Sequence, residues 1–241
     1  MTDLEADLSR RFRTRESVVD LDRRDVVIVH PANADDLISE EDFSRDERLP
    51  YWADLWPSAK ILARSLVEER GAGQRLLELG CGSGLDSVAA VIAGYNVLAS
   101  DYYVDAMLFT KLNVEKNLPG STVRTREIDW RALPKGLGRF KRVIAADVLY
   151  EPAHGDLVAK VIAKTLAADG WATVADPGRL SRQSFLDRAA EIGFEVDLSR
   201  VRPFEEGEIR QTITLIDLRW RIGVFPNSTG DADDADGANP T

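Results

Sequence analysis

The chain has 241 residues, 44% hydrophobic and 30% charged, with one cysteine, two histidines and a net charge of −10. That balance describes one large globular domain; Cys81 alone excludes an internal disulfide or a cysteine zinc site, two histidines are too few for a histidine-rich metal centre, and the acidic surplus gives duplex nucleic acid no basic footprint. No apolar run nears the ~20 residues of a membrane span, and the opening stretch lacks a signal-peptide core, so the expected setting is the cytoplasm, without membrane attachment.

In chain order, the basic cluster Arg10, Arg11, Arg13 and Arg15 reads as a solvated N-terminal segment. "SVVDLDRRDVVIVHP" predicts two strands around the polar turn Asp22 to Asp25. "WPSAKILARSLVEER" predicts a helix with Pro57 in its first turn and Ala59, Leu62, Ala63, Leu66 and Val67 on one face. From Leu76 to about Ile222, β-rich runs alternate with helical patterns, the mark of a parallel sheet covered by helices. The strands are "RLLEL" from Arg75, "NVLASD" from Asn96, "TVRTREID" from Thr122, "RVIAAD" from Arg142 and "WATVAD" from Trp171. Between the last two, "GDLVAKVIAKTLAADG" carries Leu157, Val161, Ile162 and Leu166 at helical spacing, with Gly170 as its C-terminal cap. A further helix ends at Gly193, and "FEVDLS" follows. In "QTITLIDLRWRI", Ile216, Leu218, Trp220 and Ile222 share one face, which predicts an antiparallel, half-exposed strand. Nothing resembling a linker interrupts residues 1–226, which are expected to form one domain: an N-terminal elaboration over 1–70 and a core over 71–226. Residues 227–241, with four aspartates and no basic residue, are expected to be a disordered acidic tail.

"LLELGCGSGLDS" places Gly80, Gly82 and Gly84 between a strand and a helix, where backbone N–H groups can face a ligand. A triphosphate loop needs Gly-Lys-Ser/Thr, and Leu85-Asp86 stands there instead. The dinucleotide fingerprint needs its third glycine where Leu85 stands. Glu78, two residues before the first glycine, is expected at the rim of the turn. There it would repel a pyrophosphate and suit a ligand bearing an ammonium, such as S-adenosylmethionine. Asp101, 21 residues after Gly80, lies at the separation from which an acid reaches ribose hydroxyls. Asp129 is placed to accept from an adenine amine and Trp130 to pack on the ring; a helix-capping aspartate and a core tryptophan remain the plain alternatives.

The run Glu78-x-Gly80-x-Gly82-x-Gly84, then Asp101, then Asp129-Trp130, resembles the class I S-adenosylmethionine-dependent methyltransferases. "ADVLYEP", with Asp147 and Tyr150, resembles the Asp-x-x-Tyr signature of methyltransferase family 16, the seven-β-strand protein-lysine methyltransferases. "YWADLWPSAKILARSL", with Trp56 just before a helix, resembles the segment preceding the glycine loop in that family. "DPGR" (Asp176 to Arg179) is similar to the branch containing the electron-transfer-flavoprotein β-subunit lysine methyltransferases. The resemblance implies a doubly wound α/β fold with a seven-stranded sheet of order 3-2-1-4-5-7-6, the seventh strand antiparallel.

It also implies a cofactor site of Trp56, Glu78, Gly80, Gly82, Gly84, Asp101, Asp129, Trp130 and Asp147, and a catalytic pair Asp147 and Tyr150. Asp147 is expected to bind and orient a lysine ammonium and Tyr150 to position the amine, because a carboxylate beside the lysine opposes its deprotonation. Trp56 is expected to wall the sulfonium, and Glu151 and His154 to flank the substrate entrance. Cys81 is read as a packing residue. The expected partner is a protein bearing a target lysine, with a small amine, a noncatalytic nucleoside-binding module and a nicotinamide oxidoreductase as the alternatives, and the expected state is a monomer.

Overall fold

A computed structural model gives the structure of residues 2–37 and 50–224. The chain opens with α1 (Asp3–Arg11), where a solvated segment was expected. The overlooked signal is the Thr2-x-x-Glu5 start: the Thr2 hydroxyl accepts the Glu5 N–H at 3.2 Å, an N-cap. Leu8 is fully buried, and Arg11 pairs with Asp105.

The hairpin of β1 (Thr14–Asp20) and β2 (Asp25–Pro31) forms as the alternation predicts. Then come α2 (Pro57–Leu66), β3 (Arg75–Leu79), α3 (Leu85–Ile92), β4 (Asn96–Asp101), α4 (Val104–Asn117), β5 (Arg124–Glu127), β6 (Phe140–Ala146), α5 (His154–Thr165), β7 (Leu166–Asp176), α6 (Arg182–Ile192), β8 (Phe194–Glu206) and β9 (Ile209–Trp220). Seven strands make one sheet, β5-β4-β3-β6-β7-β9-β8, with β9 antiparallel to both neighbours. This is the expected order and the expected antiparallel strand.

Consecutive residues of β3 feed opposite faces. Leu76 belongs to the same core cluster as Leu62, Leu66, Val88 and the hairpin's Val26 and Ile28; Leu77 belongs to a second, with Val158, Ile162 and Phe185. The sheet is therefore covered on both sides, and the hairpin shares the core of one of them. Two amides weld it there. Asn113 accepts the Val29 N–H and donates to the Val29 carbonyl, both at 2.8 Å, and Asn117 does the same for Val27 at 2.8 and 2.7 Å. One turn apart on α4, they complete the free edge of β2 as a strand would.

The local misreadings have physical causes. β5 starts at Arg124, and Asp129 lies beyond its end. Helix α5 stops at Thr165, whose hydroxyl donates back to the Val161 carbonyl, and β7 begins at once. Gly170 is thus inside a strand and caps nothing. A Cβ there would lie 2.7 Å from the Lys141 carbonyl, beside the register shift between β6 and β7. β9 ends at Trp220, leaving Ile222 fully exposed; Ile216, Leu218 and Trp220 are buried with Arg219 exposed between them, as the alternation predicts, while the preceding stretch Ile213–Ile216 is buried throughout. The expected tail lies outside the described residues. Among the described residues, no helix is long and apolar enough to cross a membrane.

His30 on β2 is fully buried, with Nε2 2.9 Å from the Ser17 hydroxyl and Nδ1 without a hydrogen-bond partner. Burial, and after it the charge of Arg15, lowers its pKa to about 4. Above pH 6.5 the ring is neutral in both states and contributes nothing. As pH falls from 6.5 towards 4 only the unfolded chain takes up the proton, so stability falls, by up to roughly 3 kcal/mol. Urea denaturation at pH 7 and 4.5 is expected to show a smaller acid loss for His30→Asn than for the native chain. Equal losses contradict this.

Candidate functional site

The glycine loop follows β3 and enters α3. The Gly80 and Cys81 N–H groups donate to the Ser100 carbonyl at 2.8 and 2.9 Å, and Gly82 N–H donates to Asp101 at 3.0 Å. Gly84 has φ 85°, and a Cβ there would sit 2.6 Å from Thr110 Cα. Only glycine combines that left-handed turn with so close an approach of α4. Across the loop runs the segment Tyr51–Trp56, whose Trp52 carbonyl accepts from Ser83 Oγ at 3.4 Å.

Between loop and segment lies a cavity of about 530 Å³. It opens at the carboxyl ends of β3, β4 and β6, at the point where strand order reverses, the place where open α/β sheets bind ligands. Among the described residues, six acids line it (Asp54, Asp86, Asp101, Asp129, Asp147 and Glu151) against two arginines, Arg131 and Arg179. Both arginines are already paired, with Asp129 and Asp147 respectively.

Trp56, Gly80, Gly82, Gly84, Asp101, Asp129, Trp130, Asp147 and Tyr150 all line this cavity. Glu78 does not, and the rim position expected for it is wrong. It is 2% exposed and takes a hydrogen bond from the Ser87 hydroxyl, beneath the loop. Depth is the reason: Glu78 lies inside β3, before its last residue, and Ser87 of α3 covers it from the side. Asp101 spends its two oxygens on Gly82 and Tyr103 N–H groups, each at 3.0 Å; burial raises its pKa, and these bonds oppose the rise only in part. Asp129 is held by Arg131 through the guanidinium and the N–H, at 2.9–3.1 Å. Trp130 lies close to Gly80, where a Cβ would come 3.8 Å from its ring. The buried Cys81 thiol is pushed up well above its ordinary value by burial and then by Asp101 and Glu78, and takes a hydrogen bond from Thr110; it is a packing residue.

Asp147 has φ 57°, an uncommon backbone state for a residue with a side chain, and is 6% exposed. Arg179 Nε donates to its Oδ1 at 2.5 Å and Ser58 Oγ to its Oδ2 at 3.0 Å. Asp176 shapes the turn that delivers Arg179, accepting the N–H groups of Gly178 at 2.7 Å and Arg179 at 3.2 Å. The Arg179 guanidinium also lies over the Trp56 ring, 5.2 Å from its centroid, so one face of that indole is taken. Beside Asp147, edge-to-face contacts join Trp56 to Tyr51 (6.0 Å), Tyr51 to Tyr150 (5.2 Å), Tyr150 to His154 (4.8 Å) and His154 to Trp130 (5.2 Å). His154 is fixed by the Val148 carbonyl at 2.8 Å and by Glu151 at 3.2 Å.

Sequence reasoning missed Tyr51, Trp52, Asp54, Asp86 and the pairing of Arg179. The density of aromatic residues in "YWADLW" was the available signal for the first two. Nothing local points from Arg179 to a partner 32 residues away.

The family model described as lysine methyltransferase matches residues 40–189. The electron transfer flavoprotein beta subunit lysine methyltransferase of Xenopus laevis is 30% identical over 137 residues, covering 54% of this chain and 53% of that protein. The protein N-terminal and lysine N-methyltransferase EFM7 of Cryptococcus neoformans is 30% identical over 158 residues, 57% of this chain and 52% of that protein. The chain spans about half the length of these curated relatives. Among solved structures, the ribosomal protein L11 methylase of Lactobacillus delbrueckii subsp. bulgaricus superposes with a TM-score of 0.58 at 20% identity, covering 85% of this chain and 99% of that one, a likeness of fold. With more than half its length matched by the family model, the chain belongs to the lysine methyltransferase family.

Proposed function

We propose that this chain is an S-adenosylmethionine-dependent N-methyltransferase acting on a lysine side chain of a protein. The observation that carries the reading is the charge of the cavity: six acids against two paired arginines, around a glycine loop at the switch point of the sheet. That lining repels a pyrophosphate and attracts both a sulfonium and an ammonium. The cradle fits the nucleoside. Gly80 keeps a side chain out of the narrow space beside Val148 and Trp130, Asp101 stands at the end of β4 to meet ribose hydroxyls, and Asp86 offers a buried carboxylate oxygen without a partner. S-adenosylmethionine supplies, when bound, a methyl group on a positively charged sulfur.

The chain's task is to align and to supply a neutral amine. A lysine of pKa ~10.4 costs about 4–5 kcal/mol to neutralise at pH 7. An unpaired Asp147 would add to that cost. With Arg179 on one oxygen and Ser58 on the other, Asp147 orients the amine through hydrogen bonding while most of its charge is already answered. Tyr51, Trp56 and Tyr150 wall the lysine stem and exclude water, and the proton leaves to solvent at the open side.

S-adenosylmethionine at 100 times its dissociation constant is expected to stabilise the chain by about 2.7 kcal/mol, a melting shift of roughly 5–10 °C. NAD at equal concentration is expected to do far less. A larger shift with NAD overturns the reading.

A further inference from the structure

Asp86, in the first turn of α3, lines the cavity beside Gly84 and Leu85. It is 4% exposed, and its Oδ1 is buried with no hydrogen-bond partner. An acceptor in that condition costs free energy until a ligand or a proton satisfies it. Glu78 on β3 lies on the same side, 2% exposed, hydrogen-bonded by Ser87. Among the described residues, no positive charge pairs with either acid. The groups acting on it from the neighbouring strand and loop are Asp101 and the Cys81 thiol. The basic side chains of the helices packed on α3 point elsewhere: Lys60 and Arg64 of α2 pair with Glu206 and Asp22, Lys116 of α4 pairs with Glu5 and Glu16, and Lys111 is exposed.

Two buried carboxylates without a counter-ion cannot both ionise freely, so the pair retains a proton. Burial is the main cause of the raised pKa of each. Asp101 pushes Glu78 further, to about 8 against the opposing Ser87 hydroxyl, and Glu78 pushes Asp86 well above its ordinary value.

We infer that Asp86 receives the α-ammonium of bound S-adenosylmethionine, and that the proton held by the Asp86–Glu78 pair leaves as that ammonium arrives. This rests on the proposed cofactor. The ammonium keeps its three protons; the O–H bond of the pair breaks and its proton passes to buffer, leaving a carboxylate facing a cation. A merely structural Asp86, favoured in the first turn by the helix dipole, predicts no discrimination between ligands.

The test is calorimetry at pH 7 in phosphate and in Tris, with two nucleosides. S-adenosylhomocysteine carries the ammonium, and 5′-methylthioadenosine lacks the amino-acid portion. The native chain is expected to release a proton with the first ligand, seen as a buffer-dependent heat, and none with the second; this arm needs no variant. Asp86→Asn is expected to weaken S-adenosylhomocysteine at least tenfold, leave 5′-methylthioadenosine within twofold, and abolish the buffer dependence. Buffer-independent heat in the native chain, or affinities for both ligands that fall together or stay unchanged, overturns the inference while leaving the cofactor reading in place. A native chain that binds neither nucleoside overturns both.

Discussion

Asp147→Asn is expected to lower methyl transfer about 100-fold while leaving S-adenosylmethionine affinity within about threefold. Asparagine is the informative substitution because it tolerates the left-handed backbone at φ 57° and keeps the shape of the side chain. What it removes is the negative charge that Arg179 grips and, on the proposed mechanism, the acceptor for the amine. A reacting amine displaced by ~1 Å accounts for a loss of that size. Tyr150→Phe, which keeps the ring against Tyr51 and His154, is expected to be milder than Tyr150→Ala. Calorimetry with the cofactor, paired with single-turnover transfer, separates the two halves. Lost cofactor binding in Asp147→Asn moves Asp147 into the cofactor pocket, and unchanged transfer removes it from the chemistry.

Gly84→Ala is expected to cost about 2–4 kcal/mol of stability, the sum of left-handed strain and overpacking against backbone. The new Cβ would lie 2.6 Å from Thr110 Cα and 2.7 Å from its hydroxyl, so α4 must retreat. Thr110 then loses its bonds to Cys81 and the Gly82 carbonyl, and the loop loses its shape. Gly207→Ala provides the comparison. It shares a left-handed φ, 58°, with nothing within 4 Å of the added carbon, and should cost only the strain. Urea denaturation of both variants reads the difference. Equal costs contradict the close approach of α4 as the reason for Gly84.

The sheet was legible because its strands announce themselves. β3 and β4 have the expected bounds, being short apolar runs closed by a glycine or an aspartate. Boundaries failed where the chain changes structure without a turn residue, as at Thr165, where helix passes directly into strand. The lining of the cavity was legible as far as it is local: a glycine loop, an acid at the end of the next strand, and Asp147 and Tyr150 after β6. Glu78 departs from its expected rim position because it sits inside β3, beneath the start of α3, which distance from the glycine does not reveal. The setting of Asp147 was not legible at all, because Ser58 comes from α2 and Arg179 from the turn after β7. Those two contacts change its chemistry, from an open carboxylate to one already bonded at both oxygens.

On the proposed function, this cavity transfers a methyl group to protein lysine. The most direct test is incubation of the native chain with methyl-labelled S-adenosylmethionine and a cell lysate, followed by mass spectrometry of whatever becomes labelled. The expected result is label on lysine side chains of one or a few proteins, present with the native chain and about 100-fold weaker with Asp147→Asn. Label confined to small molecules, label on protein that is indifferent to Asp147, or no label above a chain-free control contradicts the claim.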